Sequence, residues 1–256
     1  MAKPLTQNAN DFATDDRVVK NKRGIFMTVA GIVFFIFLVF LLFLNKLFTQ
    51  PPQTQLQLTL DGVRVLNEPR PLQAVDLINQ DNAAFSNTAF EKNWNLVFFG
   101  FTHCPHICPM ALNEINRAYK NLPQEIQSQT NVYLITVDPE RDSPEKLASY
   151  VSNFNQEFSG LTGDFVTLKS FAESLYVPFF KIREDALAPA DEHAHHHHMM
   201  EDAEPTYDIN HGSQVVIINP NGDYHGYYFS PVKADVIANS LPSIVANFNR
   251  NTGLTN

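Results

Sequence analysis

"VFFGFTHCPHICPMALNEI", residues 97–115, holds Cys104 and Cys108, the only cysteines among 256 residues. The apolar stretch "WNLVFFGF", 94–101, reads as a buried strand. A helical pattern then starts at "CPMALNEINRAYKNL", 108–122, with Pro109 suited to the first turn, where a missing N–H costs no bond. The two thiols therefore lie where a buried strand ends and a helix begins. In an α/β sheet that is the carboxyl end of a strand, where ligands bind. Cys104 falls in the loop and Cys108 at the helix start, whose unpaired N–H groups and positive dipole end favour a thiolate. A thiolate is both a nucleophile and a soft metal ligand. The placement suits disulfide exchange and soft-metal binding alike.

The flanking pattern continues the alternation. "LQAVDLI" and "AAFS" predict an opening hairpin; "NVYLITV", "FFKI", "SQVVIIN" and "DYHGYYFS" predict strands, the last two joined by a "PNG" turn. "DSPEKLASYVSNF", "TLKSFAESL" and "VKADVIANSLPSIVANF" predict helices, the first with Asp142 and Glu145 in capping positions and Pro144 in its first turn. Strands alternating with helices and closing on a hairpin give an α/β three-layer sandwich of the thioredoxin-like kind, spanning residues 71–250. "LQLTLDGVRVL", 56–66, predicts a short hairpin turning at Asp61 and Gly62, either part of the Pro/Gln-rich spacer over 45–70 or an edge of the domain.

Ahead of the spacer, "GIFMTVAGIVFFIFLVFLLFL", Gly24 to Leu44, carries no charge and would extend about 31 Å as a helix, one membrane crossing. Its length exceeds the apolar core of a signal peptide and no small-residue cleavage site follows, which predicts an uncleaved anchor. Arg17, Lys20, Lys22 and Arg23 precede it and only Lys46 follows closely. The tail 1–23 is therefore expected inside and the main domain outside, in the periplasm of a bacterium or the intermembrane space of an organelle. A formal charge of -9 argues against nucleic acid and anionic membrane surfaces as partners.

Spacing refines the chemistry of the thiols. Thioredoxin-like oxidoreductases usually carry C-x-x-C. Here Pro105, His106 and Ile107 intervene, giving two sulfurs room to converge on one ion without forbidding a disulfide. Two thiolates joined by an imidazole would make a soft site matched to copper. A second metal-binding composition stands at "DEHAHHHHMMED", 191–202, with His193, His195, His196, His197, His198, Met199 and Met200. It reads either as a low-complexity loop or as a labile secondary copper site with imidazole and thioether donors. The charged cluster Asp138, Glu140, Arg141, Asp142 reads as capping and local ion pairs at a strand-to-helix turn, or as a partner-facing surface.

"FFGFTHCPHICP", "TVDPERDSPEKLASYV", "LTGD" and "YDINHGSQVVIINPNGDY", in that order, resemble the signature segments of the Sco/SenC family, membrane-anchored thioredoxin-fold copper-binding proteins that assist assembly of the CuA site of cytochrome c oxidase. The resemblance covers roughly residues 71–248. It implies copper as the ligand, Cys104, Cys108 and His211 as its donors, and the copper-bearing oxidase subunit or another copper acceptor as partner. It leaves two functions open: a metallochaperone without turnover, or a thiol-disulfide reductase that keeps the acceptor's cysteines reduced and is itself served by a thiol reductant. The chain departs from the family's frequent pattern at His106 and Asn210, where an acidic residue is common. His103 is expected to be a neighbour of the site, not a ligand.

Overall fold

The computed structural model describes residues 16–48, 58, 59, 61–183 and 207–253, in two compact units that divide between Pro51 and Pro52. The first unit is helix α1, Asp16–Phe48. It contains the apolar run Gly24–Leu44, long and apolar enough to cross a membrane. Apolar side chains point out all around this run, so it has no polar face to turn toward water. The helix begins at Asp16, inside the expected tail; residues 1–15 lie outside the described residues, as do 49–57 of the spacer.

The second unit is organised by β4, Trp94–Gly100, buried at every position. Full burial on both faces explains why its sequence is a continuous apolar run and not an alternating one. It pairs in parallel with β5, Thr130–Thr136, from Trp94 opposite Thr130 to Gly100 opposite Thr136. On its other side it pairs antiparallel with β9, Val215–Ile218. The eight-stranded sheet runs β1-β10-β9-β4-β5-β6-β2-β3. Its remaining strands are β1 Val63–Pro71, β2 Asp76–Asn79, β3 Ala84–Ser86, β6 Phe158–Thr162 and β10 Asp223–Tyr228. A separate two-stranded ribbon joins β7, Phe179–Arg183, to β8, Tyr207–His211.

Helices cover both faces. Alternate β4 side chains point opposite ways: Trp94 meets Phe248 of α6, Ala234–Thr252, and Gly100 faces Cys108 of α2, Ile107–Asn121. Phe99 meets Phe171 of α5, Phe165–Ser174, on the far side. Glu114 of α2 accepts the Ala234 N–H at 2.8 Å, placing a negative charge at the start of α6, whose own cap residue Lys233 makes no side-chain cap. Short α3, Gln124–Gln127, leads into β5, and α4, Pro144–Ser152, precedes β6.

Four local expectations change. Val63–Pro71 is not half of a hairpin over 56–66: it pairs with β10 at the sheet edge, with Gly62 at a φ of +103 turning the chain into it. The Asp-Gly signal marks a real turn, but burial of Val63 draws the strand to the sheet. Pro69 and Pro71 are tolerated there because an edge strand can lose N–H donors. Strand β6 was hidden by Ser159 and Gly160, and β8 by its polar residues. At α4 the cap is Ser143, whose side chain accepts the Lys146 N–H, while Asp142 turns inward.

Gly160 is needed for packing: a Cβ there would stand 2.7 Å from Cβ of Leu147 on α4. Gly160→Ala must push α4 away from β6, and overpacking of this kind costs about 1–3 kcal/mol. The expected result is a lowered thermal midpoint for the detergent-solubilised protein with its circular dichroism otherwise unchanged; an unshifted midpoint would show that α4 yields freely.

Candidate metal centre

Past Gly100 the chain turns sharply. The Cys104 N–H bonds the Phe101 carbonyl at 3.3 Å, and α2 starts at Ile107, so Cys108 falls in its first turn. The Cys108 N–H, one of the helix's unpaired donors, points at Cys104 Sγ at 3.4 Å. Both thiols are free; Cys108 is fully buried and Cys104 nearly so. Asp142, fully buried, holds the entry to this turn by accepting the Thr102 N–H at 3.0 Å, the Thr102 hydroxyl at 2.5 Å and the Thr136 hydroxyl at 2.7 Å.

His211 ends β8 opposite Phe179, with its ring edge-on to Phe98 and Phe101. Its Nδ1 lies 3.0 Å from the Gly212 carbonyl. A carbonyl only accepts, so Nδ1 carries a proton, and Nε2 faces Cys108 Sγ, 3.6 Å away. Among the described residues, the ligand atoms of Cys104, Cys108 and His211 all lie within 4.8 Å of one another. A cleft of about 340 Å³ opens onto Cys104 and His211, with Phe101, His106, Ile107, Ile182, Asp208 and Asn210 among its walls, while Cys108 lies beneath it.

The two thiols divide one proton unequally. Cys104 is held well below the usual thiol range, chiefly because the Cys108 thiol donates to it, with His211 and the Cys108 N–H adding to the effect against burial. Cys108 is pushed up because it is the donor in that bond and because it is buried. The cluster is thus one thiolate, one thiol and an imidazole. That set is soft and converges on one point, so it fits a thiophilic metal ion, whose binding would release the Cys108 proton. The same set, without the imidazole, is a nucleophilic thiolate beside a resolving thiol.

Cys104 and Cys108, and the His211 that the family resemblance implies, are brought together here. His103 is no part of the cluster: its Nδ1 lies 3.2 Å from the Thr102 hydroxyl, and its side chain is 44% exposed. His193, His195, His196, His197, His198, Met199 and Met200 lie outside the described residues. Sequence reasoning missed Thr102 and Thr136, and it took Asp142 for a helix cap. The local ion pair expected in this turn, Arg141 with Asp138, is present.

The SCO1/SenC family model matches residues 68–246. A Stutzerimonas stutzeri protein described as a candidate copper-binding protein is 34% identical over 186 residues, covering 73% of this chain and 82% of its own. The mitochondrial SCO2 homolog of Homo sapiens is 31% identical over 173 residues, covering 67% and 59%. Among solved structures, copper-bound ScoI of Arabidopsis thaliana superposes with a TM-score of 0.56 at 25% identity, over 68% of this chain and 98% of that one. Apo Sco1 from Thermus thermophilus gives 0.55 at 26% identity, over 74% and 95%. The fold is the thioredoxin-like α/β fold of those structures. The matched segment runs from β1 into α6 and includes Cys104, Cys108 and His211, and the chain belongs to the SCO1/SenC family.

Proposed function

We propose that this chain carries copper as cargo on Cys104, Cys108 and His211 and hands it to the CuA-bearing subunit of cytochrome c oxidase. The observation that carries the reading is the imidazole. His211 Nε2 is aimed at Cys108 Sγ, with its tautomer set by Gly212, although disulfide exchange needs only a thiolate and access. The copper named in the descriptions of the Stutzerimonas relative and the Arabidopsis structure supports the choice of ion. Two thiolates suffice to hold Cu(I); Cu(II) needs the imidazole as well. Transfer then proceeds by exchange of ligands with the acceptor, without turnover.

A second reading, a thiol-disulfide reductase acting on the acceptor's cysteines, rests on the asymmetry of the thiols. Cys104 is poised as the attacking thiolate and Cys108 as the resolving thiol. A separate thiol reductant would then restore the pair. Under either reading α1 anchors the chain in the inner membrane with the second unit in the periplasm, or in the intermembrane space of an organelle, because the basic residues precede the apolar run.

His211→Ala separates the readings. A carrier loses the sulfur-to-Cu(II) charge-transfer band and fails to support CuA assembly, while its cysteines still oxidise and reduce. If the variant supports full assembly, the reductase reading replaces the carrier.

Thiol labelling checks the asymmetry. Because the Cys104 thiolate persists well below the ordinary thiol pKa of about 8.5, its alkylation rate should stay nearly flat between about pH 6 and 9. Cys108, shifted the other way, should stay slow throughout. A Cys104 rate that climbs steeply through pH 8 would remove the shared-proton arrangement.

Topology is checked in spheroplasts. Added protease should digest the second unit without lysis; digestion only after permeabilisation would reverse the orientation.

A further inference from the structure

His211 and the cysteines belong to different sheets. The cysteines follow β4 of the eight-stranded sheet, whereas His211 ends the β7–β8 ribbon, which shares no strand pairing with it. Backbone pairing reaches His211 only indirectly, through Val215 four residues on, which pairs with Phe98 of β4. Buried Phe179 and Ile209 press the ribbon onto the core, but apolar contact is not directional. Just past His211, Gln214 Nε2 donates to the Tyr176 carbonyl at 2.6 Å and Ser213 bonds Ser230 at 2.7 Å; the directional bonds that join the ribbon to the turn after β5 lie at the other end of β8.

There the Tyr207 hydroxyl donates to Asp138 Oδ1 at 2.5 Å and reaches Glu140 Oε2 at 3.3 Å. Arg141 ion-pairs with Asp138 through Nε, and its guanidinium lies 4.2 Å from the Tyr207 ring centroid and 5.9 Å from that of Phe101. Lys181 of β7 binds Glu140 at 2.6 Å and stands 4.5 Å from the Tyr207 ring centroid. Asp138 is fully buried, so its two partners are what make its charge tolerable there. Every one of these acidic and guanidinium groups comes from the turn after β5. The last residue of that turn, Asp142, holds Thr102, two residues before Cys104. One turn thus grips the histidine ribbon with Asp138, Glu140 and Arg141, and the cysteine loop with Asp142.

We propose that the turn Asp138–Asp142 is the positioning element that registers His211 against Cys104 and Cys108, with Tyr207 and Thr102 as the side chains it holds. None of these groups touches the proposed ion. Burial, and then the bond to Asp138, raise the Tyr207 pKa, so the phenol remains a donor across the physiological range. Through His211 the inference rests on the copper reading; the alignment itself exists in the apo protein.

Tyr207→Phe removes the hydroxyl and keeps the ring under Arg141 and Lys181, so the fold should survive. Thr102→Val is the matching variant on the cysteine side and serves as the second test. Two readouts are taken on the detergent-solubilised full chain. The first is metal-free: 15N NMR of the histidine rings, with the His211 signals assigned by their loss in His211→Ala. In the parent they should report a protonated Nδ1 and one environment; in Tyr207→Phe they should shift or split. The second uses added copper ions. Tyr207→Phe should weaken Cu(II) binding by roughly 10- to 100-fold, the range for residues that orient metal ligands. It should leave Cu(I) binding and Cys104–Cys108 disulfide formation within about twofold, as a merely destabilised protein would not. Unchanged His211 signals in both variants overturn the proposal whatever the copper result. A parent protein that holds no Cu(II) defeats the copper reading, and the ring signals still decide the alignment.

Discussion

A side chain at Gly100 would place its Cβ 2.9 Å from Cys108 Sγ, 3.0 Å from Phe98 and 3.2 Å from Leu134. The buried central strand therefore ends against the sulfur itself, and only glycine leaves room for it. From that contact the rest of the site follows. The chain must turn at Phe101, its N–H-rich helix start must come up beneath Cys104, and Cys108 must enter the first turn with its thiol inward. A shift of the helix by one residue would rotate that thiol by about 100°, away from both Cys104 and His211. The position of the second cysteine is thus fixed by strand packing more than by the loop between the thiols.

Charge reinforces this geometry. Asp142 is buried and repels a second negative charge at Cys108, one of the causes that keep that thiol protonated. The carboxylate that fixes Thr102 thus also biases the site toward a cation and against a dithiolate standing alone. Its own charge is made tolerable by three donors, from Thr102 and Thr136. Removing any of them would leave a buried carboxylate short of partners, which is more costly than the lost bond itself.

The strand, turn and helix around the cysteines were legible because all their determinants are local: an apolar run, Pro109 and the two thiols. His211 was not legible from residues alone. It lies 103 positions from Cys108, at the end of a short polar strand outside the main sheet, and only the likeness of "YDINHGSQ" to a known family pointed to it. Asp142 was misread because its spacing from Glu145 imitates a cap; its true partners, Thr102 and Thr136, come from two other strand ends. Gly160 concealed β6 for a related reason. A residue chosen for the close approach of Leu147 weakens the very pattern that marks a strand. In each case the missing information was a contact between elements, which periodicity does not encode.

Under the proposed copper reading, the burial of Cys108 bears on which copper ion the site would accept most readily. As it stands the pair carries one negative charge, a thiolate at Cys104 and a thiol at Cys108. Exchange of the Cys108 proton for Cu(I) replaces one monovalent cation by another, so the net charge of the buried pair does not change. No new charge has to be desolvated, and the Cys104 hydrogen bond is replaced by a metal-sulfur bond of greater strength. Cu(II) in the same exchange leaves the pair neutral, with a cation that two sulfurs alone do not satisfy, and it draws on the His211 lone pair. The imidazole is thus dispensable for one oxidation state and required for the other. A histidine held by a backbone carbonyl, beside a half-protonated thiol pair, would suit the carrier proposed above, which would take copper in either state without rebuilding its core.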